Sequence, residues 1–121
     1  MQNKSPLNML PIGLLELDAS GTVLYFKPYR DGPYSCSAID AEGRNLFTDF
    51  APIAEALEFQ ERIRTFRRSP APADSFHFTF GHAQSNLAVK VLLARIHEQS
   101  VLCSTESVLV HIKPLAASMA A

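Results

Sequence analysis

Between Ala54 and Arg68 the apolar residues Ala56, Phe59, Ile63 and Phe66 recur at helical spacing, and just beyond this stretch the hydrophobic period changes abruptly from helix to strand. Side chains three and four apart share one face of an α-helix, so these four form a single apolar stripe. Glu58 and Glu61 lie toward the start of this stretch and Arg64, Arg67 and Arg68 toward its end, the order that a helix dipole favours. Read with Arg62, they form a solvated helix face rather than a phosphate-binding patch. Pro52 stands where a first helical turn tolerates proline, with Asp49 just upstream. Ser69-Pro70-Ala71-Pro72 ends the helix. Beyond it Phe76, Phe78 and Phe80 alternate with His77 and Thr79, the period-2 pattern of a half-buried strand.

The remaining elements are short and strand-like. Ile12 to Leu17 is apolar except for Glu16, Asp18 to Gly21 supplies turn residues, and Thr22 to Phe26 is β-branched and aromatic. This pattern predicts a hairpin. Pro28, Gly32 and Pro33 then break regular structure, and Tyr34 to Glu42 has room for one or two helical turns. Leu87 to Ile96 reads as a long strand with Lys90 and Arg95 as polar breaks. Val101 to Ile112 completes the sheet, with an interruption expected near Ser104 to Glu106. The expected fold class is α+β: an antiparallel sheet of about five strands, with short helices and one longer helix on one face. The expected organisation is an N-terminal extension over residues 1–11, one domain over 12–114, and a frayed tail over 115–121.

Composition narrows the function. A chain of 121 residues has room for one domain, which buries roughly two-thirds of its unfolded surface. A net charge of -1 leaves no basic footprint for nucleic acid. The apolar run from Leu7 to Leu17 is interrupted by Pro11, Gly13 and Glu16, which suits neither a signal peptide nor a membrane span. Cys36 and Cys103 have no metal-site spacing and form no disulfide framework, so a reducing, cytoplasmic compartment is expected. Of the four histidines, His77 and His111 alternate with apolar residues and should point away from the core. His77 and His82 suggest no third ligand, so neither zinc nor any other cofactor is expected.

Several motifs are collinear with those of a known family. They are Leu17-Asp18 with Gly21, then Gly43, Leu46-Phe47, Asp49, Ala51-Pro52 and Glu58-Phe59, then Phe76-His77-Phe78-Thr79-Phe80 and Val89-Lys90-Val91. Spread over Gly13 to Val91, this series resembles the photoactive yellow protein family of PAS sensory domains. The resemblance implies the same α+β fold that periodicity suggests. It also implies a departure in chemistry. The family binds a cinnamoyl chromophore as a cysteine thioester, and the matching position here is Ile53. The family's phenolate-binding tyrosine and carboxylic acid correspond to Phe26 and Arg30, its supporting threonine to Tyr34, and its pocket arginine to Cys36. Light-sensing chemistry is therefore not expected to carry over.

By the same matching, Leu15, Phe26, Leu46, Phe50, Ile53 and Phe80 face the space that the chromophore fills in the family. They either line a cavity for a small apolar ligand, with Arg30 or Tyr34 as its polar anchor, or fill that space as core. The function expected is a non-catalytic sensory or interaction module acting through a homodimer or a protein signalling partner. Two alternatives differ in kind. One is a haem- or flavin-binding PAS sensor, although residues 34–68 contain no histidine and no cysteine follows Asn45. The other is a small cone-shaped α+β enzyme, which needs a strand carboxylate facing its cavity; Glu16 and Glu106 are the strand acids.

Overall fold

The computed structural model describes residues 10–29, 37–82, 85–99 and 104–115. Five strands, β1 (Gly13–Leu17), β2 (Val23–Pro28), β3 (Ala73–His82), β4 (Ser85–Gln99) and β5 (Ser104–Pro114), form one sheet in the order β2-β1-β5-β4-β3. Every neighbouring pair is antiparallel. Three helices, α1 (Ala38–Ala41), α2 (Ala51–Ala54) and α3 (Leu57–Arg68), lie in the crossover between β2 and β3. This is the PAS-like α+β architecture expected.

The hairpin of β1 and β2 closes as its turn residues dictate. The Asp18 carboxylate accepts hydrogen bonds from the Ser20 and Thr22 amides and from the Ser20 hydroxyl, at 2.8–3.0 Å. Gly21 has φ +94°, and a Cβ there would stand 2.7 Å from the Phe47 ring, so the position demands glycine.

Register divides the sheet into two faces. On the inner face Leu15 pairs with Phe26 and Val110, Leu93 with Val110, and Phe76 with Val91. Those side chains are almost fully buried. The alternation read in β3 and the shared face of Leu87, Val89, Val91 and Leu93 are both present. Phe59 of α3 packs on this face, its ring centroid 6.0, 5.4 and 5.0 Å from those of Phe76, Phe78 and Phe80. Ile63 and Phe66 extend the same contact surface.

Two expectations need correction. The long helix does not begin at Ala54: α2 ends there, Glu55 and Ala56 form a break, and α3 starts at Leu57. Pro52 and Ile53 therefore belong to a separate one-turn helix. The Gln60 side chain, buried among apolar neighbours, explains the break. Its amide donates to the carbonyls of Ile53 and Ala54 at 3.0 and 3.4 Å, acceptors that a continuous helix would have bonded along its own axis, and to that of Phe47 at 3.2 Å. The interruption expected near Ser104 to Glu106 is also absent, since β5 pairs continuously with β4 from Ser104 onward. At the start of the described residues, Leu10 and Pro11 are buried, and Leu10 belongs to the hydrophobic core.

Candidate functional site

The structure brings together six of the eight residues predicted to line a core site. Leu15 and Phe26 are cross-strand partners, and Phe80 comes from β3. Phe50 and Ile53 come from the start and body of α2. Leu46 is held by the hydrogen bond that its backbone amide donates to the Gly21 carbonyl at 2.9 Å. All six belong to one hydrophobic cluster, and none is more than 2% exposed. Arg30 and Tyr34, the predicted polar anchors, lie outside the described residues, as do Cys36 and Cys103. Among the described residues Gln60 is the buried polar side chain, and its amide is taken up by backbone carbonyls.

The outer face of the sheet is a different surface. The central row runs Lys27, Leu14, His111, Leu92 and Ser75 across all five strands. On one side lies Tyr25, Glu16, Leu109, Ala94 and Ala73, with Ser107 and Ile96 beyond. On the other side lies Lys113, Lys90 and His77. Leu92 is 42% exposed and Tyr25 45% exposed, an unusual display of apolar surface on a sheet face. His111 sits half-buried among these groups. Burial, and secondly the Lys113 charge, holds its imidazole below the ordinary histidine range.

Charge on this face is polarised. Lys90, Lys113 and His77 are exposed toward one end of the strands, and Lys27 is exposed at the β2 edge of the central row. At the other end a surface groove of about 470 Å³ is lined by Glu16, Asp18, Ala19, Leu24, Ile96, Glu106 and Ser107. Glu16 accepts a hydrogen bond from the Ser107 hydroxyl at 2.7 Å. Asp18 is held below the usual carboxylate range, chiefly by the Ser20 hydroxyl. On the helix-covered side of the same strand end, Glu106 faces His97 across β4 and β5 at 3.9 Å and lies beside Arg67 and Arg95.

The remaining candidates disperse. His77 is exposed, as its alternation predicts. No group of three His, Cys, Asp or Glu side chains that could hold a metal occurs among the described residues. Glu16 lies on the outer face, so it does not supply a core-facing carboxylate. Asp40 works as helix-cap chemistry, its amide donating to the Ser37 hydroxyl at 3.1 Å. Glu42 accepts from the Phe26 amide at 3.1 Å, tying α1 to β2.

Two arginines do more than the sequence shows. Arg95 lies on β4, where its guanidinium donates to the carbonyls of Phe66, Ser69 and Ala71 at 2.7–3.1 Å and stacks 4.6 Å from the Phe66 ring. Arg67, half-buried, donates to the carbonyls of Asp18 and Ala19. Together they bind the C-terminus of α3 to the sheet and to the hairpin turn. Among the described residues no helix is long and apolar enough to cross a membrane.

Comparison with known proteins agrees with this architecture. No family model matches the chain. It is 33% identical over 85 residues to the photoactive yellow protein of Halochromatium salexigens, covering 70% of this chain and 68% of that one. Against the photoactive yellow protein of Rhodothalassium salexigens the identity is 32% over 89 residues, covering 71% and 69%. Against that of Cereibacter sphaeroides it is 28% over 82 residues, covering 68% and 66%. The chain belongs to the photoactive yellow protein family of PAS-fold proteins.

Proposed function

We propose that this chain is a non-catalytic PAS sensory module that signals through contacts on its outer sheet face, without a covalent chromophore. Its inner core keeps the family's frame, but Ile53 offers no thiol for a thioester, and Phe26 has no hydroxyl to hold a phenolate. The apolar cluster around Ile53 suits a small apolar ligand or none. The module works in the cytoplasm, where Cys36 and Cys103 stay reduced.

The observation that carries this function is the exposure of Leu92 and Tyr25 beside half-buried Leu14, Leu109 and Ile96 on a five-stranded sheet. One layer of helices covers only one face, and apolar residues on the other face gain by being covered. A second copy of the chain is the simplest cover, because a twofold dimer sets the same patch against itself. Sedimentation velocity tests this. The wild-type chain should sediment as a dimer at high micromolar concentration. Leu92→Glu places a charge in the patch and should give a folded monomer. A wild-type chain that remains monomeric under those conditions would overturn the dimer and with it the proposed surface.

A further inference from the structure

We infer that the outer face pairs with a second copy in an antiparallel, charge-complementary arrangement, with Lys113 of each copy entering the Glu16 groove of the other. The inference rests on the outer face being the contact surface proposed above, and it adds the direction and the contacts of the pair.

Three observations lead to it. First, the face carries opposite charges at its two ends. Lys113 and Lys90 are cross-strand partners at one end, with His77 beside them, while Glu16 and Asp18 line a groove at the other. From Lys113 to Ser107 in that groove is six residues of β5, about 20 Å at strand rise. Second, the rows between are apolar in their centre, with Leu14 and Leu92 flanking His111 and Leu109 beside Ala94. Third, the groove is wide enough, at about 470 Å³, to admit a lysine side chain with its ammonium group.

A twofold axis lying in the interface has two simple orientations. If it runs along the strands, the lysine row of one copy meets the lysine row of the other, and like charges repel. If it runs across the strands through the middle rows, strand direction reverses between the copies. The Lys113 row then meets the Ser107 row, and the His111 row meets the Leu109 row. Each copy places its basic end on its partner's acidic end, twice by symmetry. Sheets packed face to face keep their strands nearly aligned about 10 Å apart, a gap that lysine spans. The chain's net charge of -1 sets little overall repulsion against association.

Charge reversal tests the arrangement. Lys113→Glu and Glu16→Lys should each weaken the dimer by about tenfold or more, since each turns two attractive contacts into repulsive ones. The double variant, Lys113→Glu with Glu16→Lys, should recover most of the wild-type affinity, and so should an equal mixture of the two single variants. Circular dichroism establishes that each variant is folded. If Glu16→Lys unfolds through loss of its Ser107 bond, Ile96→Lys, in the Ser107 row of the same face, takes its place in the scheme. A wild-type dimer indifferent to the single reversals, or weakened by them without rescue, would overturn the antiparallel pairing and leave the outer-face contact standing. A monomeric wild-type chain would overturn both.

Discussion

His111 shows how a single residue reports its surroundings. It is flanked by Leu14 and Leu92 in its row, with Lys113 two residues along β5, Lys90 paired with Lys113, and Lys27 beyond Leu14. Burial first, and the Lys113 charge second, push its pKa below the ordinary value. Linkage gives the sign. Above about pH 6.5 the imidazole is neutral in both folded and unfolded chains and costs nothing. As pH falls below that value the unfolded chain takes up the proton first, and stability is lost until the folded imidazole also titrates. An NMR titration should therefore place His111 below an unperturbed histidine, and the wild type should lose stability relative to His111→Gln as pH falls from neutral. A His111 that titrates above an unperturbed histidine would contradict its placement in this row.

Helix α3 is held at both ends and along its middle by different means, and these are unequally readable from the sequence. Its apolar stripe is plain from spacing, because a period of 3.6 has one structural solution when four apolar residues keep to it. Phe59→Ala should cost about 3–5 kcal/mol, the range for removing a buried aromatic side chain. Chemical denaturation measures it, and a loss under about 1 kcal/mol would mean that Phe59 is not packed against the β3 phenylalanines. The break before Leu57 is not readable, since Ala54 to Ala56 has nothing against helix in its local propensity. It depends on Gln60 reaching back across the break to the Ile53 carbonyl, a contact that local propensity does not report. In the sequence, Arg67 and Arg95 likewise read only as surface charge and polar break. Their roles depend on where the hairpin turn and the end of α3 meet in space, 48 and 29 residues away in sequence. The strand character and both faces of β4 are implicit in alternation, whereas the ends of β4 and β5 come from pairing with each other. For the candidate site, the apolar lining is legible from collinear motifs. The outer-face charge polarity is not, because it emerges only once five strands are placed in register.

At the scale of the whole molecule, family membership and chemistry separate. The chain shares about a third of its matched residues with photoactive yellow proteins and has the expected sheet and helices. Inside that frame, on the proposed reading, Ile53 and Phe26 put hydrocarbon where the family has its thiol and phenol. Outside it, the apolar and charge-polarised sheet face is the proposed place of output. A fold can keep its architecture while its site changes, because the core asks for volume and burial and the site asks for particular functional groups. The most direct test of this separation is the absorption spectrum of the purified protein, taken together with its intact mass. The account predicts no visible band and a mass equal to that of the polypeptide. A blue absorption band that survives denaturation, with the mass raised by a bound acyl group, would contradict it.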